Sequence, residues 1–212
     1  MTLPIEQRHY SLEEYFQIEE NSDEKYEYWD GVLVPLREPL AMAGGSYEHG
    51  VISVNIVRAF GNRLIGGPCQ VLGSDLRVKL ARSTRYVYPD VSVVCGPPQL
   101  DPKDKGRGTI CNPRLLVEVL SPSTQALDRS EKLQNYLQIE SVEEYLMVSQ
   151  SQPRVESFFR QQGGTWLFTP IEGLDAALTV RSLGFQVPLR EIFLNVQFRL
   201  EAAIDDHNRA PA

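Results

Sequence analysis

The sequence predicts an α/β domain whose core runs helix, strand, strand, strand, helix, strand, followed by a β-rich C-terminal extension. Three observations carry this expectation. In "EHGVISVNIVRAFGNRLI", His49, Ile52, Ile56, Phe60 and Leu64 recur about one turn apart, the stripe of an amphipathic helix. Three strand-like segments follow, "CQVLGSDLRVKL", "YVYPDVSVVC" and "RLLVEVLS", separated by turn residues. A second helical stripe, Leu133, Tyr136, Leu137 and Ile139, then leads to the strand-like "EEYLMVSQ". At 212 residues the chain suits one domain with a substantial core. Its expected parts are an N-terminal helix within 1–25, a core over 26–150 and a β-rich extension with a closing helix over 151–212.

Each element has a local reason. "SLEEYFQIEE" begins with Ser11 and has Glu14 three residues on, the signature of a capping box ahead of a short helix. "KYEYWDGVLVPL" alternates around Asp30-Gly31 and predicts a hairpin or bulged strand pair. Gly44-Gly45 breaks the chain before Ser46, the expected cap of the long helix, which should stop at Gly66-Gly67-Pro68. The run Leu115, Leu116, Val117, Val119, Leu120 is apolar on both sides, as a central strand must be, and only Glu118 interrupts it. A further helix starts from Ser123 or Asp128, with Ser121 and Ser123 read as capping residues. "RVESFFRQQGGTWLFTPI" predicts a hairpin turning at Gly163-Gly164, and "LTVRSLGFQVPL" adds a short strand before a closing helix near Leu189.

Composition excludes several classes. No apolar run approaches the roughly 20 residues that span a bilayer, and Met1–Tyr10 has no leader-like pattern, so a cytoplasmic protein without a membrane partner is expected. Cys69, Cys95 and Cys111 are odd in number and widely spaced, which predicts buried thiols, neither a disulfide framework nor a zinc site. The net charge of −7 argues against coating nucleic acid through a general positive field. The charge is uneven, however: residues 1–57 hold 11 acids and 3 bases, 58–114 hold 4 and 10, and 115–212 hold 13 and 8. The basic middle contains Arg77, Lys79, Arg82, Arg85, Lys103, Lys105 and Arg107. A nucleic-acid contact and a solvated face would both look like this.

Two adjacent strands each carry one carboxylate where strands normally avoid it, Asp90 after Pro89 and Glu118 within the Leu/Val run. Burying two unpaired acids costs several kcal/mol or drives their pKa values up. A divalent cation would compensate both, since Mg²⁺ takes one or two carboxylates plus water and phosphate oxygens. Alternatively, each acid pairs with its own arginine or with a backbone amide.

Asp90 in "YPD" and Glu118 in "VEV", with the order of elements around them, resemble the PD-(D/E)xK phosphodiesterase superfamily. The ordered series "YEYWDG", "EHG", "SDLRV", "YPDVSVV", "LLVEVLSPST", "LDRSEK" and "EEYLMV" is similar to the Uma2 family, also called DUF820, from Tyr10 to about Leu194. The resemblance implies a restriction endonuclease-like core with extra N-terminal strands. It further implies a Mg²⁺ or Mn²⁺ ion held by Asp90 and Glu118, and DNA as substrate. The superfamily's lysine two residues after the acid is replaced by Leu120; Lys132, on the helix that follows, is the candidate substitute, with pairing to Asp128 as the alternative. His49 is a core-facing, hydrogen-bonded group on physical grounds and a metal neighbour or proton shuttle by resemblance. Glu27 is likewise an exposed strand carboxylate or a third acid, and Asp75 a strand-end cap or an outer partner of the site.

The expected function is a Mg²⁺-dependent endonuclease in which Asp90 and Glu118 bind metal, Lys132 positions water and Arg77 or Lys79 holds flanking phosphates. Two other classes compete, a catalytically silent binding or assembly module, favoured by Leu120, and a phosphoesterase for a small substrate. Phe158, Phe159 and Trp166 on the C-terminal hairpin suggest a homodimer surface.

Overall fold

The computed structural model describes residues 8–36, 46–80, 84–105, 108–120 and 133–198. Helix α1 (Leu12–Asn21) starts with the expected reciprocal cap: the Glu14 N–H donates to Ser11 Oγ at 3.2 Å and the Ser11 N–H to Glu14 Oε2 at 2.8 Å. Strands β1 (Tyr26–Trp29) and β2 (Val32–Pro35) form the hairpin around Asp30 and Gly31, which have φ of 49° and 104°. A two-residue turn that matches strand twist needs positive φ at both places. A Cβ on Gly31 would also lie 2.7 Å from His9 Nδ1. Gly31→Ala is therefore expected to lower stability by about 1–2 kcal/mol, read as a lower urea midpoint at unchanged slope.

The long helix α2 (Tyr47–Leu64) is capped by Ser46 Oγ, which accepts the His49 N–H at 3.1 Å. After it come β3 (Cys69–Gly73), β4 (Val78–Lys79), β5 (Arg85–Val87), β6 (Val91–Cys95), β7 (Leu115–Leu120), α3 (Leu133–Leu137) and β8 (Glu144–Ser149). The chain closes with β9 (Arg154–Arg160), β10 (Trp166–Glu172), β11 (Ala177–Val180), β12 (Phe185–Pro188) and α4 (Leu189–Ile192). A six-stranded sheet runs β10-β9-β8-β7-β6-β3 and a four-stranded one β2-β1-β5-β4. In the larger sheet β7 and β8 are parallel and the other neighbours antiparallel. A parallel pair requires a crossover, and the chain between these two strands contains α3. The expected order of core elements is thus α2, β3, β6, β7, α3, β8.

Alternation along β7 sorts the core. Leu115, Val117 and Val119 face α2, α4 and the β11–β12 hairpin, where Ile52, Ile56 and Phe60 are buried with them. Leu116 and Leu120 face the other way, into a cluster with Val87, Tyr136, Tyr145 and Met147. Glu118 shares that second face by the same period of two, which is what brings it beneath α3. A third cluster, Tyr15, Phe16, Tyr28 and Tyr86, joins α1 to the smaller sheet. Each fully buried large side chain of these clusters contributes about 1.5–3 kcal/mol.

Three expectations are corrected. "YVYPDVSVVC" is two strands, because the chain leaves the smaller sheet after Val87 and enters the larger at Val91; Tyr88, Pro89 and Asp90 form the junction. "CQVLGSDLRVKL" divides in the same way into β3 and β4. The β9–β10 hairpin is the expected C-terminal extension, and β9 pairs with β8 to lengthen the central sheet. Finally, Cys69 and Cys95 stand opposite each other in the β3–β6 register and are bonded as a disulfide, while Cys111 is free. Of the aromatics expected to form a dimer surface, Phe158 and Trp166 lie partly buried against the second core cluster, and the strongly exposed ring of the hairpin is Phe168. None of the described helices is long and apolar enough to cross a membrane.

Candidate functional site

The junction between the sheets explains why a proline and a carboxylate stand at Pro89 and Asp90: neither has to fit inside a ladder. β6 pairs with β7 so that Val91 faces Val117. The ladder ends there, and Asp90, the residue just before it, stands by the stretch of β7 that carries Glu118 and Val119. The Val119 N–H donates to Asp90 Oδ2 at 2.7 Å, fixing the carboxylate against β7. The first turn of α2 supplies His49, whose Nε2 lies 3.2 Å from Asp90 Oδ1. His49 and Asp90 side chains keep 25% and 15% of their surface in contact with solvent, which makes this the less buried end of the site.

Glu118 and Glu27 form the closed end. They are 4% and 2% exposed, so Glu27 is not the exposed carboxylate that its strand position suggests. Glu27 Oε2 accepts the Trp29 Nε1–H at 3.0 Å and Oε1 accepts the Tyr88 N–H at 3.3 Å. Glu118 Oε1 accepts the Tyr136 hydroxyl at 2.7 Å. Burial first, and then the charges of Glu118 and Glu27, push the Tyr136 phenol well above its ordinary pKa. Tyr136 thus senses acids that come from two different sheets. Its apolar spacing disguised it in the sequence; the available signal was that a buried tyrosine needs an acceptor and a buried glutamate needs a donor.

Asp90, Glu118, His49 and Glu27 therefore gather around one junction. The donor set suits a hard divalent ion. Among the described residues no group of three or more His, Cys, Asp and Glu side chains has metal-holding spacing. A pair of neighbouring carboxylates is nonetheless what Mg²⁺ or Mn²⁺ accepts, because these ions keep most of their waters and the substrate's oxygens as ligands. Carboxylate oxygens also have lone pairs left after one hydrogen bond.

Arg77 and Lys79 are both paired with acids of this chain. Arg77 is buried under α1, 3.5 Å from Glu19 and 3.9 Å from Asp104, with its guanidinium over the rings of Tyr15 and Phe16. Lys79 Nζ is 3.1 Å from Asp101 Oδ2. Both bases serve the aromatic layer of the smaller sheet, where buried acids need cations. Asp75 is exposed and pairs with Lys25 at 2.5 Å, as a turn residue would. Lys132 lies outside the described residues, as do Arg82, Arg107, Ser121, Ser123 and Asp128. Leu120, at the superfamily's lysine position, is buried in the second core cluster.

A family model described as "Putative restriction endonuclease", Uma2, matches residues 12–196. The chain belongs to the Uma2 family. Two Synechocystis sp. proteins are similar to this Uma2 chain: "Uncharacterized protein slr1290" is 38% identical over 189 residues, covering 89% of the chain and 93% of the relative. "Uncharacterized protein sll1609" is 32% identical over 165 residues, covering 78% and 89%. Among solved structures, a putative nuclease belonging to DUF820 from Anabaena variabilis superposes with a TM-score of 0.64 at 17% identity, over 87% of this chain and 97% of that one. At that identity the likeness concerns the fold, and it agrees with a mixed α/β, nuclease-like architecture built on a mixed central sheet.

Proposed function

We propose that this Uma2 protein is a divalent-metal-dependent endonuclease that hydrolyses DNA phosphodiesters at the Asp90–Glu118 junction. The observation that supports the reading is that Asp90, held by the Val119 N–H and beside His49, adjoins the stretch of β7 that carries the buried Glu118. Asp90 and Glu118 would hold the ion, Mg²⁺ or Mn²⁺. When bound, such an ion supplies positive charge to the phosphate and lowers the pKa of a coordinated water. The Val119 N–H and His49 keep Asp90 in one orientation, so its oxygens need no reorganisation when substrate arrives. His49, partly exposed beside Asp90, is assigned to accept or relay a proton from water. Glu27 adds negative charge behind Glu118 and strengthens the site's demand for a cation. Lys132 is assigned, on the sequence resemblance, to position the attacking water.

One observation favours a second reading. Leu120 fills the superfamily's lysine position with a side chain committed to the core, which suits a protein that keeps the fold and binds without cutting. Incubation with plasmid and oligonucleotide in Mg²⁺ or Mn²⁺, alongside Lys132→Ala, separates the two. Nicking or linearisation that Lys132→Ala abolishes supports the nuclease. Metal uptake with intact plasmid throughout supports the silent module.

A further inference from the structure

We propose that Tyr136 is a positioning residue of the metal site, orienting the Glu118 carboxylate through its hydroxyl. The inference rests on the metal-site reading above and adds to it a residue from the crossover helix. Tyr136 has no solvent exposure, and its hydroxyl donates to Glu118 Oε1 at 2.7 Å. Phenylalanine would fill the same space in the core, so the oxygen is present for its hydrogen bond and not for packing.

The ring itself is held from two sides. It meets Tyr145 edge-on, with centroids 5.1 Å apart. The end of α3 is clamped by Arg160, whose guanidinium donates to the carbonyls of Leu137, Ile139 and Val142 at 2.7–3.0 Å and lies over the Trp166 ring at 4.4 Å. Three charge-assisted bonds, one to the last residue of α3 and two to the loop that follows it, leave the end of α3 little freedom to shift. A contiguous path therefore runs from Trp166 on the sheet's edge strand through Arg160 and α3 to Glu118.

The choice of a phenol has a chemical reason. A free glutamate side chain loses about 1.5–2 kcal/mol of rotamer entropy when it is ordered, a cost that weakens metal binding unless it is met beforehand. An arginine or lysine could order it, but would place a second cation where the metal ion's charge is needed. The tyrosine hydroxyl orders one oxygen without neutralising the carboxylate.

The test uses the full chain, with Mn²⁺ as probe. Tyr136→Phe keeps the ring and its edge contact and removes the hydroxyl; Tyr145→Phe, one ring further away, is the control. Calorimetric titration is expected to show Mn²⁺ affinity weakened about 10- to 100-fold by Tyr136→Phe and unchanged by Tyr145→Phe. The metal-free melting temperature should fall by a few degrees in Tyr136→Phe, where the buried Glu118 loses a donor, and a Mn²⁺ affinity loss is read against that shift. Mn²⁺ should also give a tyrosine difference-absorption signal in the unsubstituted protein that Tyr136→Phe removes. An affinity within about two-fold of the original for Tyr136→Phe, or equal losses in both variants, would overturn the positioning role while leaving the metal site standing. No Mn²⁺ uptake by the unsubstituted protein would overturn the metal-site reading itself.

Discussion

Asp90→Asn is expected to lower Mn²⁺ affinity by about 100-fold or more and to abolish detectable plasmid cleavage. Asparagine keeps the shape and an oxygen to accept the Val119 N–H, so the β6–β7 junction should survive. His49 can turn the other ring nitrogen's proton to suit an amide. What disappears is one of two neighbouring negative charges. In the metal-free protein those charges repel, so the variant should melt no lower than the original. Addition of Mn²⁺ at about 100 times its dissociation constant stabilises a binding protein by about 2.7 kcal/mol, or roughly 5–10 °C in a chain of this size. That increment should be present in the original and missing in the variant. Cleavage that persists in Asp90→Asn would remove this acid from the site. A variant that melts well below the original without metal would recast Asp90 as a structural cap for Val119.

Glu144→Ala should have the largest effect on stability, at about 3–5 kcal/mol, with a melting temperature lower by roughly 10 °C. Glu144 opens β8 with no solvent exposure. Its Oε1 accepts the Ser157 hydroxyl at 2.9 Å, and its Oε2 accepts the Ser182 N–H at 2.9 Å and the Ser182 hydroxyl at 2.8 Å. One carboxylate thus ties β8 to β9 and to the turn between β11 and β12. Alanine leaves three donors without their acceptor in a region closed to water, and each such group costs about 1–3 kcal/mol. Glu144→Gln should fall between, since an amide supplies one accepting oxygen and opposes a donor to another donor. Mn²⁺ affinity should be unaffected, because Glu144 faces the α2 side of the sheet and Glu118 the other. A melting shift under about 3 °C for Glu144→Ala would show that water replaces the carboxylate.

The sequence made local features legible and left long-range ones obscure. Ser11 with Glu14, Ser46 ahead of α2, and Asp30-Gly31 in the hairpin act within a few residues, and their chemistry can be read where it stands. The apolar run at Leu115–Leu120 announced a central strand because a strand covered on both faces has no polar side to show. The break at Pro89 was visible, but not that it passes the chain from one sheet to another, since both halves carry the same valine-rich pattern. Cys69 and Cys95 met through register, which distant pairing sets. Arg77 was legible as a charge, whereas the aromatic layer that encloses it was not. Of the proposed site, Asp90 at the junction and Glu118 on β7 drew notice in the sequence through their awkwardness. Tyr136 was not, because its ring satisfies the apolar spacing and hides the hydroxyl.

The seam at Tyr88–Asp90 has a mechanical consequence. Glu27 belongs to one β-layer and Glu118 to the other, and Asp90 sits on the segment that connects the two. Any slippage of the layers would alter the spacing of all three carboxylates, so a cation seated there would act as a rivet. Amide protons of β5 and β1, in the lesser layer, should exchange with deuterium more slowly once Mn²⁺ is added.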